Sequence, residues 1–85
     1  MAMMRKLPDA EFDIMRIVWQ KEPPITAGML LEGLTRETGK AWKPQTLHTL
    51  LGRLADRGFL RFVKTGKEKM FYPLVERDAY LQYET

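Results

Sequence analysis

Trp42-Lys43-Pro44-Gln45-Thr46-Leu47-His48-Thr49-Leu50-Leu51-Gly52-Arg53-Leu54-Ala55-Asp56-Arg57-Gly58 decides how the rest of the chain is read. Leu47, Leu50, Leu51 and Leu54 fall at i, i+3, i+4 and i+7, the spacing of one buried helical stripe. At about 100° per residue, Gln45, Thr49 and Gly52 lie opposite those leucines, with His48 and Arg53 on the flanks. Pro44 suits the first helical turn, where its missing N–H is not needed. Gly58 suits the left-handed residue just past the end. The spacing predicts an amphipathic helix over roughly 44–57. Its outer side is short, polar and basic at the edges, without Glu/Lys pairs. Base edges can be read by such a face, and an ordinary solvated face looks similar. The neighbouring segments decide between the two.

After Gly58 the helical period gives way to alternation. Phe59-Leu60-Arg61-Phe62-Val63-Lys64 and Lys69-Met70-Phe71-Tyr72-Pro73 are rich in aromatic and β-branched residues, as strands are. Thr65-Gly66-Lys67-Glu68 between them reads as a hairpin turn. A basic-tipped hairpin directly after a candidate recognition helix is a wing. Lys64, Lys67 and Lys69 lie near its tip, within reach of phosphate or the adjacent minor groove. Lysines on a hairpin edge also block edge-to-edge pairing; their place beside this helix favours the wing.

Upstream, Pro8 fits a helix start, and Asp9, Glu11 and Asp13 complement the positive end of the helix dipole. Phe12, Met15, Val18 and Trp19, helped by Ile14 and Ile17, form the expected buried side. Pro23-Pro24 stops this helix and forces an extended link. Ile25 is expected to make a short strand-like contact, and Thr26 to cap a second helix. Met29 stands where a capping box wants Glu or Gln, so that cap is half made. Ala27, Leu30, Leu31 and Leu34 repeat the helical spacing, fading through Thr38-Gly39. Two helices joined by a short turn, the second with a polar outward face, make a helix-turn-helix. The expected fold is therefore α+β and mostly α: a winged helix-turn-helix of three helices followed by a β-hairpin wing. Leu74 to Leu81 begins a further amphipathic helix, in which Tyr80 and Leu81 are expected to have little to pack against.

The 85 residues make one small domain, near the size where a single core only just suffices. The net charge of +3 is unevenly spread. Lys40 to Lys69 holds Lys40, Lys43, Arg53, Arg57, Arg61, Lys64, Lys67 and Lys69 against only Asp56 and Glu68. A compact positive segment on a nearly neutral scaffold is a footprint for a polyanion. There is no cysteine, so no disulfide framework, thiolate metal site or Cys nucleophile. Serine and asparagine are also absent and His48 is the one histidine, so no Ser or Cys triad can be assembled. No cofactor and no metal are expected. Met1-Ala2-Met3-Met4-Arg5-Lys6-Leu7 lacks the apolar core of a signal peptide, and no run is long enough to span a membrane. A cytoplasmic protein is expected.

Leu7-Pro8-Asp9-Ala10-Glu11-Phe12-Asp13-Ile14-Met15-Arg16-Ile17-Val18-Trp19, the Trp42 to Leu54 helix, Gly58, the Gly66 hairpin and Tyr72-Pro73-Leu74-Val75 come in a familiar order. From Leu7 to Leu81 the chain resembles the penicillinase-repressor (BlaI/MecI/CopY) family of bacterial winged-helix repressors. The resemblance implies a dimeric repressor on double-stranded DNA, at a palindromic operator of TACA/TGTA type over a promoter. In several relatives the target genes confer β-lactam resistance and a membrane sensor protease triggers repressor cleavage; in others copper relieves repression. Thr46 and Thr49 match the family's recognition-helix threonines, Arg53 its arginine, and Lys67 its basic wing position. Trp42 and Pro44 match the residues that set the helix entry. Lys43 stands where a capping Ser is common, and Gln45 where Lys is common. Gln pairs bidentately with adenine whereas Lys favours guanine or phosphate, so base preference is expected to differ from that of better-known members. His48 is not the commonest choice either.

The implied division is a flexible N-terminus over residues 1–6, a winged helix over 7–74, and the start of a truncated dimerisation region over 75–85. The full-length protein is expected to be a homodimer and this fragment monomeric or weakly associating, unless it is a short natural paralogue. Lys43, Gln45, Thr46, His48, Thr49 and Arg53 are the expected DNA-binding residues of the helix. Arg57, Lys64, Lys67 and Lys69 are the expected phosphate contacts. The competing function is a winged helix that meets an acidic protein partner. It predicts no preferred duplex sequence and free replacement of Gln45 and Thr49.

Overall fold

The computed structural model describes residues 7–84, so the expectation for residues 1–6 lies outside the described residues. The elements are α1 (Asp9–Gln20), α2 (Ala27–Thr38), α3 (Pro44–Asp56), β1 (Leu60–Thr65), β2 (Glu68–Pro73) and α4 (Arg77–Glu84). This is the expected winged helix, and the further helix expected from Leu74 begins at Arg77 as α4.

Local chemistry sets the boundaries. The Thr26 hydroxyl accepts from the Met29 N–H at 3.2 Å and caps α2, and Gly39, with φ of 71°, ends it in the left-handed region. Pro44 opens α3, and Gly58, with φ of 84°, turns the chain out of it. β1 and β2 pair antiparallel from Leu60↔Pro73 to Thr65↔Glu68, leaving a two-residue loop. Gly66 at its first position has φ of 62° and Lys67 a negative φ, the signs of a type II′ turn.

One core joins all of this. Leu47, Leu51 and Leu54 of α3 are buried against Ile14, Met15 and Val18 of α1 and Leu30 and Leu34 of α2. Truncating any of these leucines to Ala would cost about 2–5 kcal/mol. Gly33 of α2 lets α1 approach closely, since a Cβ built there lies 2.8 Å from Ile17 Cγ2. Ile25 forms the expected strand-like contact. Its N–H donates to the Phe71 carbonyl at 3.2 Å, and the Phe71 N–H donates back at 2.8 Å.

Two expectations are corrected. Phe12 and Trp19 are only half-buried, whereas Ile14 and Ile17 are fully buried, because α1 is enclosed by α2, α3 and the sheet. Glu11 stands in the first turn of α1 as expected and is in addition buried beneath Arg57. Tyr80 does find packing: it is 1% exposed, with its ring centroid 5.7 Å from Phe12, 5.7 Å from Trp19 and 5.9 Å from Phe59. Its hydroxyl also accepts from the Leu7 N–H at 2.9 Å. The periodicity of a short terminal segment did not reveal an aromatic cluster assembled from three distant elements. Trp19 Nε1 donates to the Val75 carbonyl at 2.8 Å, which fixes the chain between β2 and α4.

Candidate nucleic-acid interface

The apolar stripe of α3 faces inward, and this alone orients its other side. Lys43, Gln45, Thr46, His48, Thr49, Gly52 and Arg53 are all exposed. The Lys43 side chain does not cap the helix. Pro44 has no N–H, so the backbone donors of Gln45 and Thr46 point out of a helix start that carries the positive end of the dipole. The Thr49 hydroxyl donates to the Gln45 carbonyl at 3.0 Å, which commits its proton. Thr49 is left with a methyl group and acceptor lone pairs, a combination suited to a thymine methyl or an exocyclic amine.

The hairpin has two chemically different faces. Leu60, Phe62 and Lys64 of β1 share one face with Pro73, Phe71 and Lys69 of β2. That face turns toward α3, for His48, Leu51, Gly52, Phe62, Lys69 and Phe71 line one small crevice of about 70 Å³. The opposite face carries Arg61 stacked on Tyr72, with the guanidinium carbon 4.4 Å from the ring centroid. Arg61 therefore belongs to the basic segment in sequence and lies away from α3 in space. On the inner face the Lys69 ammonium sits 4.6 Å from the centre of the Phe62 ring, and Lys64 is the direct cross-strand partner of Lys69. Reading the sequence as strand aromatics did not separate Phe62 from its buried neighbours. Its signal was the lysine at the diagonal cross-strand position.

Electrostatics distinguish this side from the rest. Arg16 faces Asp13 and Glu37 on the α1–α2 surface, and Arg36 pairs with Glu32 at 2.7 Å. Lys43, Arg53, Lys64, Lys67 and Lys69 have no ion-pair partner among the described residues, so their field is not neutralised internally. Arg57 differs from them: its Nη1 donates to Glu11 Oε1 at 2.6 Å, so much of its charge is spent within the fold. A broad cleft of about 580 Å³ runs from Asp9 and Asp13 of α1 to Lys43 and Thr46 of α3. The positive region is therefore bounded by carboxylates at one end. Among the described residues no group of three or more His, Asp or Glu side chains could hold a metal ion, and no helix is long and apolar enough to cross a membrane.

Known proteins resemble this chain in sequence and in fold. The chain is 28% identical over 85 residues to the penicillinase repressor of Bacillus licheniformis, covering 96% of this chain and 64% of that protein. It is 32% identical over 80 residues to the methicillin resistance regulatory protein MecI of Staphylococcus aureus strain N315, covering 94% of this chain and 62% of that one. It thus spans under two thirds of the length of these curated relatives. Among solved structures, the DNA-binding domain of the repressor BlaI superposes with a TM-score of 0.75 at 26% identity, with 94% of each chain covered. The monomeric form of Bacillus licheniformis BlaI in complex with the blaP half-operator gives 0.70, again at 26% identity and 94% of each chain. The sequence profile described as penicillinase repressor matches residues 7–85, and the chain belongs to that family.

Proposed function

We propose that this chain binds duplex DNA sequence-specifically as the DNA-binding domain of a transcriptional repressor. In this reading α3 enters the major groove and the wing, residues 64–69, lies on the backbone. The observation that carries it is the crevice shared by His48 and Gly52 of α3 with Phe62 and Lys69 of the wing. It makes the polar face of the helix and the lysine-bearing face of the hairpin one continuous surface. Gln45, Thr46, His48, Thr49 and Arg53 are the base-reading set; Lys43, Lys64, Lys67 and Lys69 supply salt-dependent phosphate contacts. Arg57 contributes to phosphate binding only through the donors that Glu11 does not use.

One helix–hairpin unit covers a half-site, so an inverted repeat takes two copies. The operator proposed is a TACA/TGTA inverted repeat bound by the homodimeric full-length protein, with β-lactam resistance genes as the regulated class. The test is fluorescence anisotropy on a duplex carrying that repeat and on a scrambled duplex, each over a salt series. A preference for the repeat, with affinity falling steeply as salt rises, supports the proposal. Absence of binding to both duplexes at low salt refutes it and turns attention to an acidic protein partner.

A further inference from the structure

We infer that Phe62 is a positioning residue for duplex binding: its ring holds the Lys69 ammonium ready for a backbone phosphate on the face of the wing that adjoins α3. The inference rests on the DNA-binding reading and adds to it a residue that carries no charge and no hydrogen-bonding group.

Both backbone polar groups of Phe71 are engaged by Ile25 on the outer side of β2. The Phe62↔Phe71 pair is therefore of the kind without mutual hydrogen bonds, in which side chains stand closest. The Phe71 ring is buried, 3% exposed, and the Phe62 ring leans on it at 6.1 Å between centroids. Phe62 itself remains 46% exposed. Its outer half contributes little to the core and offers a π-face to solvent. The Lys69 ammonium lies on that ring at 4.6 Å, the geometry of a cation–π contact.

Pair types alternate along an antiparallel ladder, so Lys64↔Lys69, two steps further out, is again a close pair without mutual hydrogen bonds. Like charges placed directly opposite repel. The wing thus sets two lysines directly opposite each other, and the ring of Phe62 holds the ammonium of one of them on the side of α3. An anion seated between the lysines turns that repulsion into attraction. A free lysine must be ordered at the moment of binding, whereas a lysine already resting on a ring has less freedom to lose. Lys69 shares its crevice with His48 and Gly52, so a duplex engaging α3 there meets the held ammonium.

The experiment compares wild type with Phe62→Leu, Phe62→Tyr, Lys69→Met and the Phe62→Leu/Lys69→Met double variant. Affinity for the inverted-repeat duplex and the scrambled duplex is measured over a salt series, with thermal melts as a check on folding. Phe62→Leu is expected to weaken both duplexes about two- to fivefold. It should also lower the slope of log affinity against log salt by part of the about 0.9 that one phosphate contact contributes. Phe62→Tyr keeps a π-face and should behave as wild type. In the Lys69→Met background Phe62→Leu should cost nothing further. Unchanged binding by Phe62→Leu, an equal loss in Phe62→Tyr, or an equal loss when Lys69 is already replaced each overturns the inference and leaves the DNA-binding reading standing. Failure of the wild-type chain to bind either duplex removes both.

Discussion

Arg57 Nη1 donates to Glu11 Oε1 at 2.6 Å, and this ion pair clamps the end of α3 to the first turn of α1 across 46 residues of sequence. The two ends differ in exposure: the Glu11 side chain is 2% exposed and that of Arg57 40%. Removing the arginine strands a buried carboxylate, whereas neutralising the carboxylate leaves a guanidinium that can still reach water. Arg57→Met is therefore expected to cost about 3 kcal/mol, and Glu11→Gln about 1 kcal/mol because an amide oxygen can still accept. Urea unfolding of both variants checks the order. The salt slope of duplex binding by Arg57→Met, taken well below its melting temperature, then separates the two roles. A slope equal to wild type assigns Arg57 to the fold alone.

Tyr80→Phe keeps the aromatic cluster and deletes the oxygen that accepts from the Leu7 N–H at 2.9 Å. A buried amide without a partner costs about 1–3 kcal/mol, so the melting temperature should fall while duplex affinity below it is unchanged. An unaltered melting temperature would mean that Leu7 finds another acceptor.

Gly33→Ala inserts a methyl group 2.8 Å from Ile17 Cγ2 at the crossing of α1 and α2. Overpacking of this kind is expected to destabilise by about 1–3 kcal/mol. Ile17→Leu, which moves the branch away from Cβ, should recover part of that loss in calorimetry.

Gly52→Ala tests the surface of α3. An added Cβ meets nothing within 4 Å in the protein, and Ala is the better helix former by about 1 kcal/mol. Stability should rise by about that much while duplex affinity falls, because the methyl group would stand between the helix backbone and the bases. A more stable variant with unchanged affinity would take Gly52 out of the interface.

Gln45→Lys addresses base preference. Gln45 is exposed at the second position of α3, next to the uncapped helix start. A glutamine reads adenine through two hydrogen bonds and a lysine favours guanine or phosphate, a difference of about 1–3 kcal/mol per base pair. Competition among duplexes varied at single positions should show the preferred base change at one position and the salt slope increase.

The chain order of elements was legible because each boundary is written locally. Thr26, Gly39, Pro44, Gly58 and Gly66 act through their own backbone preferences, and the leucines at helical spacing need no partner to be recognised. The exposed face of α3 followed from the buried one. What stayed hidden depends on residues far apart in sequence. Glu11 looks like any first-turn carboxylate until Arg57 covers it, and Tyr80 looks unsupported until Phe12, Trp19 and Phe59 meet it. Within the candidate interface, the lysines were visible as charge, while the ring beneath one of them looked like one more strand aromatic. Which face of the hairpin turns to α3 depends on strand register, and this divides Lys64 and Lys69 from Arg61.

The backbone bridge between Ile25 and Phe71 gives the hairpin a mechanical role. A wing joined to its domain only by chain connectivity would bend at its base whenever its tip was pulled. Here β2 is stitched to the segment that opens α2, and β1 grows directly from the end of α3. A load applied at the lysine tip is therefore delivered to both helices of the helix-turn-helix at once, through the bridge to Ile25 and through the chain leaving α3.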